Sequence, residues 1–307
     1  MLVAVSGGRD SIALLRALKL ISDQSANGRA QIFVAHFNHK TRGAESDKDE
    51  TFVRTLCDAL DTNFVSGSSE KTTASDEASL REMRYQFLQE TARELNCRYI
   101  ATAHHAADQI ETVLFRICRG TGLGGLAGIP KYRVVDDSIT IVRPMLECMP
   151  DDIDASMSQW QQEFREDSSN DQSRYTRNFI RNEILPALAD RFGEKLHPNI
   201  LRLANQAQQN VEFLQGLATV AIVNAVRFES DGKVVVCCET AGRLENVVRR
   251  QMFVEIFRQQ EWPLESMGFE QWQRLADLVS EPGDVAAFHI PGAVSCRKTG
   301  GSIVLAR

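Results

Sequence analysis

Six residues near the start of the chain, Ser6-Gly7-Gly8-Arg9-Asp10-Ser11, are of the types an anion cradle requires. Glycines let the backbone turn tightly and bring its N–H groups close to a phosphate. Serines add hydroxyl donors, and the first turn of a following helix supplies unpaired amides and a favourable dipole. Leu2 to Val5 read as a short buried strand, and the run from Ser11 through Ile12, Leu14 and Leu15 reads as an amphipathic helix. A strand–turn–helix elbow without a ligand has the same outline, but the flanking serines and Asp10 favour phosphate. The lysine of the Gly-Lys-Ser/Thr nucleoside-triphosphate loop is absent.

A second block, Thr102-Ala103-His104-His105-Ala106-Ala107-Asp108-Gln109-Ile110-Glu111-Thr112, sets two carboxylates three residues apart. On a helix that spacing brings Asp108 and Glu111 onto one face. Near a bound triphosphate such a pair can hold Mg²⁺ through oxygen ligands or grip an ammonium group. A helix-capping pair is the plainer reading. His104 and His105 point in different directions and no third ligand follows at suitable spacing, which argues against zinc.

Three further clusters could contact substrates. His36-Phe37-Asn38-His39-Lys40-Thr41-Arg42-Gly43 ends a strand-like run where an adenine ring could lie, with Lys40 and Arg42 near phosphate or RNA. Arg119-Gly120-Thr121-Gly122-Leu123-Gly124-Gly125-Leu126 closes a helix in a glycine-rich loop, and Arg116 and Arg119 could stabilise charge developing on phosphate. Arg174, Arg177 and Arg181 fall at three- and four-residue spacing, a cationic stripe suited to solvent, RNA backbone or a substrate carboxylate, with Tyr175 as a stacking surface.

Positioning these blocks requires alternating strands and helices. Gln31 to Phe37, Arg98 to Ala103 and Ile139 to Val142 are strand-like; Phe52, Val53, Leu56 and Leu60 mark one helix face, and Leu80–Leu95 and Asp108–Arg119 are helical. The alternation predicts an α/β fold, a parallel sheet with helices on both faces. Ligands in such sheets bind beyond the carboxyl ends of the strands, where the blocks at Ser6, His36 and Thr102 all fall. From Met149 the pattern turns helical, with Pro186 breaking one helix and Pro198 starting another. Helix-like runs at Leu201–Phe228, Ala241–Gln260 and Phe269–Val279 precede strand-like runs at Phe288–Ile290, Val294–Arg297 and Ile303–Leu305. The expected division is a catalytic domain over 1–190 and a smaller α-rich domain with a short β element over 191–307.

The 307 residues suffice for two such cores, and the hydrophobic and charged fractions of 43% and 25% are those of a globular chain. No apolar run reaches membrane-span length. Seven cysteines without a Cys-x-x-Cys pair or an export signal suggest reduced thiols and a cytoplasmic location. Cys237 and Cys238 read as small core residues of a strand. A net charge of −6 gives no global attraction to nucleic acid, so RNA contact must be local and salt-sensitive.

Together these blocks resemble the tRNA(Ile)-lysidine synthetase family, bacterial ATP pyrophosphatases whose pyrophosphate loop reads Ser-Gly-Gly-x-Asp-Ser. The matching residues are Ser6 to Ser11, His36 to Gly43, Glu77 with Arg84-Tyr85, Thr102 to Ile129, Arg143-Pro144, Trp160, Asp167 to Asn170, and Arg177 to Arg181. The Arg-Gly-Thr-Gly-Leu and Arg-Asn-x-Ile-Arg blocks separate this family from other pyrophosphatases; the second half is less diagnostic, with a length similar to that of the family's short members.

The resemblance implies an adenine nucleotide alpha hydrolase-like sheet and a two-step reaction. ATP adenylates O2 of the wobble cytidine of tRNA(Ile) with a CAU anticodon, releasing pyrophosphate; the ε-amine of L-lysine then attacks C2 and expels AMP. By the same resemblance Ser6, Gly7, Gly8, Arg9, Asp10 and Ser11 hold ATP, with Asp10 on Mg²⁺, and Ala35 and His36 lie by the adenosine. Asp108 and Glu111 engage metal or lysine, Arg119 faces the phosphate, and Arg177 and Arg181 contact the substrates. A homodimer is compatible with the family. Two departures stand out: family members carry a helix of some twenty residues before the loop, and Ala107 stands where they usually have aspartate.

Overall fold

The computed structural model describes residues 1–25, 30–41, 43–69, 77–165 and 176–307. They form two compact units, 1–206 and 207–307. In the first unit, β1 (Leu2–Ala4), α1 (Arg9–Gln24), β2 (Phe33–Asn38), α2 (Ala44–Ala59), β3 (Asn63–Ser68), α3 (Glu77–Glu94), β4 (Tyr99–Ala101) and α4 (Ala106–Cys118) alternate along the chain. α5 (Leu123–Leu126), β5 (Tyr132–Val134), β6 (Thr140–Val142), α6 (Pro150–Gln159) and α7 (Thr176–Phe179) follow. A π-helical turn, Ile180–Ile184, leads into α8 (Leu185–Phe192), and α9 (Leu196–Ala225) carries the chain past the boundary between the units.

The strands of this unit make one sheet in the order β3-β2-β1-β4-β6-β5. All neighbours are parallel except β5, which pairs antiparallel with β6 at the edge. Helices cover both faces, so the central strands have no solvent side and read as unbroken apolar runs. Leu2, Val3, Val34, Ile100 and Ile141 are all fully buried. Ile12, Leu14 and Leu15 of α1 pack with Val3, Val34 and Val53 on one side, while Leu88 and Ala92 of α3 pack with Leu2 and Ile100 on the other. The chain runs outward from β1 through β2 to β3, then returns to place β4 on the opposite side of β1. That reversal opens a crevice beyond the carboxyl ends of β1 and β4.

Two strands of this sheet lack the apolar signal. β3 (Asn-Phe-Val-Ser-Gly-Ser) and β5 (Tyr-Arg-Val) are edge strands, mostly half-buried or exposed. An edge needs fewer apolar side chains than a central strand.

The second unit holds β7 (Val226–Phe228), β8 (Val234–Cys237), α10 (Cys238–Gly242), α11 (Asn246–Gln259), α12 (Phe269–Leu278), β9 (Val285–Ile290), β10 (Val294–Thr299) and β11 (Ser302–Ala306). The strands form an antiparallel sheet, β7-β8-β11-β10-β9, over a core containing Met252, Phe253, Phe257 and Leu275. The β element is thus larger than expected: residues 226–228 leave the helical run as β7, and β8 pairs with β11. The helical run at 241–260 divides into α10 and α11. Cys237 ends β8, and Cys238 opens α10.

Candidate active site

The loop between β1 and α1 is built by hydrogen bonds among its own residues. Gly7 adopts φ +99°, a region open to glycine and strained for other residues. Ser6 N–H donates to Ser11 Oγ at 3.2 Å, Gly8 N–H donates to Ser6 Oγ at 3.3 Å, and Ser11 Oγ–H donates to Gly8 O at 2.8 Å. Gly8 is the N-cap of α1 and offers no side-chain cap, so the first-turn amides keep no capping acceptor of their own. An anion is the acceptor they suit. Arg165 braces the loop from outside: its backbone N–H donates to Gly7 O at 2.9 Å, and its guanidinium bridges Asp49 and Glu45 of α2.

Ala35 and His36 lie in β2, 1% and 4% exposed, and support the loop from behind. Val5 N–H donates to Ala35 O at 2.9 Å, and His36 Nδ1 bonds Val5 O at 2.9 Å. Burial lowers the His36 pKa, so the neutral ring donates from Nδ1.

Beyond β4, the turn into α4 faces the loop. His105 caps α4: its Nδ1 accepts from Ala107 N–H at 3.2 Å, while its backbone N–H donates to Asp108 Oδ2 at 2.9 Å. The capping role fixes the neutral tautomer, leaving Nε2–H directed at Asp10 Oδ2, 3.5 Å away. Burial alone would lower the His105 pKa, but the bond to Asp10 and the nearby Asp108 and Asp10 charges raise it. Protonating Nδ1 would forfeit the cap, which opposes that rise. Asp10 moves the other way: burial favours its neutral form, and His105 and Arg9 outweigh this and lower its pKa. Arg9 joins Asp10 to Asp154 of α6 through Nε at 2.9 Å and NH1 at 2.8 Å.

One turn along α4, Glu111 receives both arms of Arg181, Nε to Oε1 at 2.5 Å and NH2 to Oε2 at 3.0 Å. The same NH2 lies 3.7 Å from Asp108 Oδ1. Asp108 Oδ1 therefore has no close hydrogen bond among the described residues. Arg181 reaches α4 from the π-helical turn, a departure from regular helix that recurs at functional sites. Arg9, Asp10, His105, Asp108, Glu111 and Arg181 line a cavity of about 610 Å³, with Ala107 in its wall.

The sequence-derived residues divide accordingly. Arg9 and Asp10 of the loop come together with Asp108, Glu111 and Arg181. Arg119 is the C-cap of α4, stacked on Phe115 with its guanidinium 5.3 Å from the ring centroid. Eleven residues of helix separate it from Asp108, about 16 Å, so it stands apart from the cavity. The Arg177 side chain, Arg42, Arg174, Tyr175 and residues 167–170 lie outside the described residues. Asp154 and Arg165 gave no local signal, because their partners are more than a hundred positions away. His105 appeared only as a poor zinc ligand; its place before Asp108 at N3 spacing was the available sign of a capping box.

The glycine-rich stretch after α4 is held closed. Gln109 Nε2 donates to Ala127 O and Ile129 O, and its Oε1 accepts from Ile129 N–H at 2.6 Å. Arg116 donates to Gly125 O and Gly128 O.

Residues 1–188 match the PP-loop domain family, which defines the first unit as an ATP-binding α/β domain. A tRNA(Ile)-lysidine synthase from Nostoc sp. is 31% identical and aligns over 99% of this chain and 90% of its own length. The chain belongs to the tRNA(Ile)-lysidine synthase family of PP-loop proteins. Relatives of the same name from Rhodopirellula baltica and Bacillus subtilis are 38% and 32% identical, over 67% and 76% of this chain. The chain spans about half the length of those two relatives, 55% and 50%. Among solved structures, the U34-tRNA thiolase NcsA from Methanococcus maripaludis with its [4Fe-4S] cluster shares the fold, with TM-score 0.55, 15% identity and 67% of this chain covered. No described helix is long and apolar enough to cross a membrane.

Proposed function

We propose that this chain ligates L-lysine to C2 of the wobble cytidine of a tRNA(Ile) with a CAU anticodon, cleaving ATP to AMP and pyrophosphate. The observation that carries the reading is one cavity lined by Arg9 and Asp10, at the start of α1 in the loop, together with the carboxylates Asp108 and Glu111 and their partner Arg181. The loop suits the phosphates of ATP, and the carboxylates suit an ammonium group.

In the first step cytidine O2 bonds to the α-phosphorus and the bond to pyrophosphate breaks. Ser6, Ser11 and the first-turn amides of α1 hold the departing pyrophosphate, and Arg9 adds positive charge beside it. Asp10 fits Mg²⁺, because that ion is commonly held by one or two carboxylates together with substrate phosphates. When bound, it neutralises phosphate charge. Asp10 is ionised, half-exposed to the cavity and held in place by Arg9 and His105.

In the second step the lysine ε-nitrogen bonds to C2 as the C2–O2 bond breaks, and O2 leaves with AMP. Asp108 Oδ1 is the oxygen available to receive the amine and its proton, while Glu111, occupied by Arg181, holds the arginine in place. Ala107 leaves the neighbouring wall position without a carboxylate, so Asp108 carries this role alone. The second unit takes the part of tRNA recognition.

Purified protein with ATP, Mg²⁺, labelled lysine and tRNA(Ile) tests the reading. Wild type is expected to transfer label to tRNA with equimolar AMP, and Asp108→Asn to lose transfer by at least about 10²-fold. Full transfer by Asp108→Asn and Glu111→Gln would overturn these roles. AMP release that needs a sulfur donor and ignores lysine would point to a thiolase.

A further inference from the structure

Two blocks of the family pattern, Arg84-Tyr85 and Arg143-Pro144, take no part in the site described above, yet the fold brings them together. Tyr85 of α3 and Arg143 after β6 are 8% and 6% exposed. Three guanidinium groups surround the Tyr85 ring: Arg81 at 4.9 Å from its centroid, Arg133 at 5.3 Å and Arg84 at 6.0 Å. Arg81 also donates to Tyr85 Oη at 3.3 Å, and Tyr85 lies near enough to Arg143 to act on its charge. Arg143 donates to Pro130 O at 2.6 Å, but its buried Nε meets no partner. Among the described residues, Arg81, Arg133 and Arg143 pair with no carboxylate. The like charges of Arg81, Arg133 and Arg143 repel each other, and an anion seated among them removes that repulsion.

The adjacent histidines separate this cluster from the nucleotide loop. His105 faces Asp10, while His104 bonds Thr102 Oγ1 at 3.0 Å and lies within reach of the arginine charges. Burial and the charges of Arg143, Arg81 and Arg84 lower the His104 pKa to about 4, against the pull of Asp108. The phosphates of ATP already have a loop, so the anion belongs to the second substrate. A single-stranded RNA loop carries one phosphodiester per nucleotide, and such contacts fix register around a base presented for chemistry.

We propose that Arg81, Arg133 and Arg143 around Tyr85 seat a backbone phosphodiester of the RNA beside the nucleotide being modified. This rests on the tRNA reading above. Arg81 and Arg133 are exposed on α3 and β5, so Arg81→Gln/Arg133→Gln alters charge without opening the core. The test is fluorescence anisotropy of the full chain with an anticodon stem-loop RNA bearing CAU, over a salt series, with ATP binding measured in parallel. The double variant is expected to bind RNA at least about tenfold more weakly. Its slope of log affinity against log salt should become shallower by about 0.7 to 1.4. ATP affinity should be unchanged. Unchanged RNA affinity and slope overturn the proposal, as does a loss confined to ATP. Wild type that binds the RNA but transfers no lysine would remove the ligation reading and leave this result standing.

Discussion

Arg181 and Glu111 are joined by two parallel bonds that only a planar guanidinium can make, and the same guanidinium stands 3.7 Å from Asp108 Oδ1. Arg181→Lys replaces a fork with a point charge, so we expect lysine transfer to fall by about 10²-fold while ATP affinity holds. Lysine saturation kinetics and ATP titration on the same preparation check this; a parallel loss of both would assign Arg181 to the nucleotide instead. At this scale the chemistry was legible wherever it is contiguous. Ser6 to Ser11 and His105 to Glu111 each lie on one loop and one helix turn, so spacing alone brings them together. The Arg181–Glu111 bond spans seventy positions and depends on a π-helical turn that no residue pattern marks. Arg181 was legible as a cation, and its partner was not.

Among the elements, the central strands and their helices followed from unbroken apolar runs and helical periodicity, and the edge strands β3 and β5 escaped for lack of either. The closed glycine stretch after α4 shows how a loop is fixed by side chains of the preceding helix, Gln109 and Arg116. Gly128 has φ +67°, and a Cβ there would stand 2.5 Å from Gln109 Oε1. Gly128→Ala is therefore expected to cost about 1–3 kcal/mol through backbone strain and displacement of Gln109. Thermal unfolding checks this; an unchanged midpoint would mean that the loop is not anchored at Gln109. In the second unit, Lys298 is 5% exposed and donates to the carbonyls of Leu278, Val279 and Glu281, closing the end of α12. Removing the ammonium strands buried acceptors, so Lys298→Met should lower stability by about 2–3 kcal/mol in denaturant titration. Nothing in the Arg-Lys-Thr context distinguishes this lysine from a surface one, because its partners lie some twenty positions back on another element.

For the molecule as a whole, acid stability follows from histidines kept neutral in the first unit. Burial, with neighbouring arginine charge, lowers both His104 and His39 to about 4. A histidine whose folded pKa lies below its unfolded value near 6.5 stabilises the fold above that pH, and this stabilisation is lost as pH falls toward 4. Each contributes up to about 1.4 kcal/mol per pH unit across that window. His105 works in the opposite sense, since its raised pKa favours the fold below 6.5 and that contribution disappears as pH rises through the folded value. Urea unfolding between pH 7 and 4 should show a falling midpoint that His104→Asn makes shallower, and an identical slope would remove His104 from the account. The central claim concerns the wobble cytidine itself. Digesting tRNA(Ile) after incubation with this protein, ATP, Mg²⁺ and lysine, and weighing the wobble nucleoside by mass spectrometry, tests it most directly. A gain of one lysine less one water is the expected result; an unmodified cytidine, or one with sulfur in place of oxygen, would contradict it.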